Sequence, residues 1–358
     1  MGGAAAAAPP AAGLKTSALT EPSRRRRAAG ATAHDASLAE TLARDRADAR
    51  APRGWGHCED VDQIAYAEMA SRICELQYTL DPSLPTPRRP TWKEAIYVKG
   101  CWKLKAYNSD LQMSTGVYQN ARNGRCVLAV SGIHGTILGV EKTFALLTSP
   151  PEKWKVCDSL MYAPFVKTWR RHTSLANWTR VTNFLASHCN SKVTITGQSL
   201  GGATAEILAA CASANQLAQL QPPENPSFRV KDIHTYGAMA SATTPLRNSS
   251  GGSPCLRGRR WFHAEDPIAR FGPAFGLVHP LMDATEIFTG ADGSLTFRDY
   301  DCQSAESISD TALGKAVTLA DMQDLSATGW IASHQLESYI KWMRYRLQPG
   351  SGPGSDPI

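Results

Sequence analysis

The run VTITGQSLGGATAEIL, residues 193–208, holds a serine between glycines at the point where four β-forming residues give way to good helix formers. A strand that turns at once into a helix lifts the residue at the apex, Ser199, clear of the sheet, where open α/β sheets bind ligands. Gly197 and Gly201 keep such a turn free of neighbouring side chains, Gln198 precedes the serine, and the helix after it directs amide dipoles at the reaction centre. Serine attacks a carbonyl only if a base takes its proton, and a histidine base needs a carboxylate to hold its tautomer. The chemistry to look for is therefore acyl transfer, with the partners downstream in the order acid, then histidine.

Two downstream carboxylates compete. In RWFHAEDPIARFGP, residues 260–273, Asp266 follows a short strand and precedes a proline turn, which is where an orienting carboxylate belongs; Glu265 is its neighbour. Two histidines compete as well. His279 follows Asp266 with too little chain for another strand, whereas His334 opens the last amphipathic helix and is the expected base.

These residues need a frame that alternates strands and helices. The pattern predicts a helix over 64–80, a strand at 95–98, and strands at 116–119 and 126–130 flanking the hairpin signal Asn123-Gly124. Helices follow at 160–170 and 174–187, then the strand 192–196 and a helix from Ala203 to about Ala218. Strands at 230–236 and 260–263, a hairpin of 284–289 with 294–298, and the helix that His334 opens complete the order. Such alternation implies an α/β fold, a mostly parallel central sheet with helices on both faces.

Composition excludes several functions. Of the net charge of +6, much sits in the run Arg24 to Arg27, and the rest is nearly balanced, so no nucleic-acid surface is indicated. The nine cysteines show no C-x-x-C pair, which argues against zinc, and they read as reduced, mostly buried thiols. No metal or organic cofactor is called for. No apolar stretch is long enough to span a bilayer. The Ala- and Arg-rich N-terminus lacks a secretory pattern, so an intracellular place, cytosolic or organellar (plastid or mitochondrion), is expected. Residues 1–54 read as a disordered or targeting segment with a short helix, 55–346 as the globular domain, and 347–358 as a flexible tail. The oligomeric state is not legible.

From about Trp92 to Tyr345 the chain resembles the class 3 (fungal-type) lipase family, α/β-hydrolases acting on acylglycerols. TGQSLGGA is similar to the family's Thr-Gly-His-Ser-Leu-Gly-Gly-Ala except at Gln198; CVLAVSGIHGT, ending at Thr136, to the strand that closes in Phe-Arg-Gly-Thr/Ser; HTYG, residues 234–237, to Tyr-Thr-Phe-Gly. Asp266-Pro-Ile-Ala-Arg stands for Asp-Pro/Ile-Val-Pro-Arg, and the segment from Ser333 to Tyr339 for Asp-His-x-x-Tyr. The resemblance implies a Ser199, Asp266, His334 triad, an oxyanion hole of Thr136 and the Leu200 amide, and a lid at 137–155. It implies a lipid ester substrate, an acylglycerol or polar glycerolipid, with peripheral contact to a lipid surface. A lipase-like acyltransferase and a non-catalytic binding or signalling protein are the alternative functions.

Overall fold

The computed structural model describes Ala70, Ile73, Cys74 and residues 101–110, 113–132, 152–189, 193–249, 251–272, 276–302, 334 and 336–347. The expected strand at 95–98, the N-terminal segment, the C-terminal tail, Thr136 and residues 137–151 of the expected lid lie outside them.

The centre is an eight-stranded sheet. Its strands are β1 (Trp102–Ser109), β2 (Ser114–Asn120), β3 (Cys126–Val130), β6 (Val193–Gln198), β7 (Val230–Tyr236), β8 (Gly258–His263), β9 (Asp283–Thr289) and β10 (Leu295–Tyr300), in that spatial order. The strands from β3 to β9 run parallel, while β1, β2 and β10 join antiparallel at the two edges. Parallel strands are buried on both faces, and β3 shows what that requires of a sequence: CVLAV is buried at every position. Leu128 and Val130 enter the main core on one face, and Val127 and Ala129 a second cluster with Ile73 and Trp102 on the other.

Helices α1 (Ala163–Thr173), α2 (Ala176–His188) and α3 (Leu200–Ser213) cover the first face, contributing Trp169, Trp178 and Ile207 to the main core. Opposite lies α5 (Leu336–Leu347), whose Leu336, Tyr339, Ile340 and Met343 pack on Tyr236, Trp261 and Ile287. The described residues of the predicted 64–80 helix, Ala70, Ile73 and Cys74, are helical and fully buried. Among the described residues no helix is long and apolar enough to cross a membrane.

Three elements differ from expectation. Residues 153–162 form a hairpin of β4 (Lys153–Val156) and β5 (Ser159–Tyr162), so the first helix starts at Ala163 rather than 160, and 153–155 of the expected lid belong to this hairpin. Its turn is sharp, with Cys157 and Asp158 both at positive φ, a geometry that nothing in their residue types announces. The strand β1 has an uneven burial pattern and Lys at two of its first four positions, so it shows no alternation to read. The elbow helix starts at Leu200, three residues before the predicted Ala203, because the glycines are already helical.

The cysteine expectation is overturned. Cys126–Cys189, Cys157–Cys211 and Cys255–Cys302 are disulfides, joining β3 to the end of α2, the β4–β5 turn to α3, and the segment before β8 to the end of β10. Each pair is brought together by tertiary packing across 47 to 63 residues, which is why no spacing motif marks it. Cys74 is a buried thiol whose Sγ donates to the Val130 carbonyl oxygen at 3.7 Å. Loops of this length each restrict the unfolded chain by about 4 kcal/mol in the chain-entropy view. Replacing Cys157 and Cys211 together by alanine should lower stability by about 2–4 kcal/mol, on the order of 10 °C in Tm by calorimetry.

One carboxylate lies in the core between α3 and the sheet. Glu206 is fully buried; it accepts from Thr235 Oγ1 at 3.0 Å, and its second oxygen has no hydrogen-bond partner among the described residues. Burial pushes its carboxyl up to about 8, against the pull of the Arg260 guanidinium and the Thr235 bond. The folded chain thus holds a proton that the unfolded chain releases near 4.5, so this group's stabilisation is complete below that value and fades as pH rises through about 8. Glu206→Gln should remove that loss: the difference in Tm between variant and parent should shift in the variant's favour from pH 5 to pH 8.5.

Candidate active site

The site lies at the carboxyl ends of β6, β7 and β8. Leaving β6, the chain turns at Ser199 with φ 59° and ψ −130°, a region that L-residues rarely occupy, and enters α3 at the next residue. Such a conformation costs about 1–3 kcal/mol and persists only where its surroundings impose it. Here the surroundings are backbone. A Cβ on Gly201 would stand 2.5 Å from the carbonyl oxygen of Val130, at the end of β3, and one on Gly202 would stand 2.6 Å from the Cβ of Ala238. A Cβ on Gly197 would strike the backbone of Gly201 and Gly202. The helix start is thereby pressed between the ends of β3 and β7, and the Ser199 N–H bonds the Tyr236 carbonyl oxygen at 3.0 Å.

The second wall follows β8. Asp266 is fully buried and caps the short helix α4 (Pro267–Phe271), Oδ1 accepting from the N–H of Ile268 at 2.9 Å and more weakly from Ala269 at 3.4 Å. Its Oδ2 accepts from the Tyr339 hydroxyl at 2.7 Å. His334 Nδ1 lies 3.0 and 2.9 Å from the two carboxylate oxygens. Because a carboxylate accepts, Nδ1 carries the hydrogen and Nε2 is left bare. That bare nitrogen is 2.8 Å from Ser199 Oγ. A hydroxyl, an imidazole and a buried carboxylate thus form one continuous line of hydrogen bonds, from residues 67 and 68 positions apart in the chain.

Room for this line depends on Gly237, at the end of β7 with φ +53°. A Cβ there would stand 2.5 Å from Asp266 Oδ2 and 3.1 Å from His334 Nδ1, in the path of their bond.

The competitors separate by burial. Glu265 is exposed, whereas Asp266 is fully buried. His279 is buried with Nε2 on the carbonyl oxygen of Ala269 at 3.0 Å, and burial together with the Arg260 charge holds its ring well below the ordinary histidine value. Leu200, nearly buried, supplies the first amide of α3, beside Ser199.

Tyr339 was legible only as a core position of the last helix, and the structure gives it a polar task too. Fully buried, it donates to Asp266 and accepts from the His263 N–H at 3.1 Å. Desolvation, with the Asp266 charge and bond, holds its hydroxyl well above the usual phenol value, so it stays a donor. Its place after the histidine in the segment 333–339 was the available signal. Among the described residues, no group of three or more His, Cys, Asp or Glu side chains is placed to hold a metal ion.

Residues 127–275 match the model of the lipase (class 3) family. No curated protein matches the chain. Among solved structures, the lipase from Rhizopus microsporus var. chinensis aligns at 17% identity and TM-score 0.48, covering 74% of this chain and 88% of that one. Lipase II from Rhizopus niveus aligns at 17% and 0.49, covering 74% and 96%. A triacylglycerol lipase, whose catalytic centre is described as a serine protease triad, aligns at 16% and 0.50, covering 74% and 94%. At such identity the last of these speaks for the fold alone, that of an α/β-hydrolase, with strand order and helix placement as described above. The family match, which spans the elbow and the Asp266 loop, adds that this part of the chain is similar to the class 3 lipases.

Proposed function

We propose that the chain hydrolyses carboxylic esters of lipids, acylglycerols or polar glycerolipids, through an acyl-enzyme on Ser199. The observation that carries this reading is the unbroken line from Ser199 Oγ to His334 to Asp266, at 2.8 and 2.9 Å. Ser199 Oγ attacks the ester carbonyl carbon as its proton passes to His334 Nε2. The negative charge on the carbonyl oxygen is met by the Leu200 amide at the start of α3 and by Thr136, donors of a kind whose loss costs about 2.7–4 kcal/mol of barrier. Collapse breaks the ester bond, and the leaving alcohol takes the proton from Nε2. A water then gives its proton to Nε2 and attacks the acyl carbon, and the acid leaves as Oγ is reprotonated. Asp266 keeps the proton on Nδ1 throughout and stabilises the transient imidazolium. The triacylglycerol lipase described with a serine protease triad supports this assignment by its chemistry.

The substrate side is read from the family: apolar acyl esters met at a lipid surface, with contact that is peripheral. The disulfides among the described residues support folding in an oxidising compartment, such as a secretory lumen or the cell exterior, where the sequence led us to expect the cytosol or an organelle (plastid or mitochondrion).

Ser199→Ala and His334→Ala should each lower kcat on a soluble p-nitrophenyl ester and on an emulsified triacylglycerol by about 10⁴-fold or more. The double variant should be no more than a few-fold slower than either, since members of a relay act as a unit. Loss through His279→Ala with activity kept in His334→Ala would reverse the histidine assignment. The domain reading has its own check: a chain starting at Ala51 should keep kcat within about twofold, because residues 1–50 carry no group assigned to the reaction.

A further inference from the structure

Gln198, the last residue of β6, stands one peptide before Ser199 and is nearly buried. Its Nε2 lies 2.6 Å from the main-chain carbonyl oxygen of His334 and 3.3 Å from the ring nitrogen Nε2 of the same residue. A carbonyl oxygen only accepts, so the short contact requires the NH₂ of the amide there, which settles which way the amide faces. The ring contact is of another kind. While Nε2 is bare it is a long, weak acceptor for this N–H, behind the Ser199 hydroxyl at 2.8 Å. Once Nε2 has taken the serine proton, two N–H groups face each other and no bond is possible. Gln198 therefore cannot act by stabilising the cation; its durable bond is to the backbone.

The His334 ring needs that anchor. Among the described residues Asp266 holds it at Nδ1, the Nε2 contact with Ser199 Oγ is the one the reaction itself changes, and the side chain remains 20% exposed. A ring held at one nitrogen can pivot about that bond and carry Nε2 off the serine. Fixing the carbonyl at its own Cα to the strand that bears Ser199 removes this freedom, because base and nucleophile then share one rigid element. We infer that Gln198 is a positioning residue, whose side-chain amide ties the backbone of His334 to the end of β6 and so holds Nε2 on Ser199 Oγ. The inference rests on the reading of Ser199, His334 and Asp266 as the reacting set.

Gln198→Met keeps the volume and removes the donor, and Gln198→His restores a ring N–H in its place. On a soluble p-nitrophenyl ester, Gln198→Met should lower kcat about tenfold to a hundredfold with KM within about twofold, and slow the labelling of Ser199 by a fluorophosphonate in parallel. Gln198→His should recover kcat to within about threefold of the parent, while Tm, followed by circular dichroism, stays close for all three. Full kcat in Gln198→Met overturns the inference, as does a loss seen only in KM, or a fall in kcat that tracks a fall in Tm and is not recovered by histidine. Should Gln198→Met not fold, Gln198→Asn, which keeps the amide but shortens its reach, is measured for the same split. Ser199→Ala separates the two claims. If it is as active as the parent, the reacting set is wrong; if it is inactive while Gln198→Met is fully active, only the role of Gln198 falls.

Discussion

A carboxylate taken wholly out of water must be met by donors, and at Asp266 that requirement organises the site. Amides of α4 meet one oxygen, the Tyr339 hydroxyl meets the other, and His334 Nδ1 reaches both. These donors come from a turn after β8 and from the last helix, so a single buried charge fastens the end of the chain to the middle of the sheet. The same bonds dictate the imidazole tautomer, and through it the side on which a proton can be accepted. Removing the carboxyl group would leave the donors of Tyr339 and His334 without their acceptor, so structure and chemistry share this dependence.

Backbone contact is the complementary constraint. Gly197, Gly201 and Gly202 let the turn at Ser199 and the start of α3 press on the ends of β3 and β7, and Gly237 leaves room for the bond between Asp266 and His334. The strain in Ser199 is held from behind: the helix that follows it is almost wholly buried, and its N–H is tied to β7. The Cys157–Cys211 bridge secures the far end of that helix to the β4–β5 turn, away from the chemistry. Rigid strands and a pinned helix therefore hold Ser199, and the turn after β8 supplies Asp266.

Local chemistry made much of this legible. A strand, a glycine turn and a helix in direct succession mark Ser199 without any partner, because backbone sterics and helix dipoles are properties of adjacent residues. The continuous apolar runs at 126–130 and 193–196 mark parallel strands, since a strand covered on both faces has no polar side to show. Asp266 and His334 were readable as types in the right order after the serine. The Gly124 turn, flanked by β-formers, gave the β2–β3 hairpin for the same local reason.

What the tertiary structure decided is everything that depends on distance between residues remote in sequence. Exposure separated Asp266 from Glu265, and the direction of a ring nitrogen separated His334 from His279. Among the described residues, disulfides replaced the expected thiols, since two cysteines about fifty residues apart pair only if the fold places their Cα atoms within about 6 Å, which no spacing rule encodes. The β4–β5 hairpin, the second duty of Tyr339 and the bond from Gln198 to the backbone of His334 are of this kind too. A sequence states the donors, acceptors and apolar faces a chain possesses; which of them meet is fixed only when burial forces each polar group to find a partner.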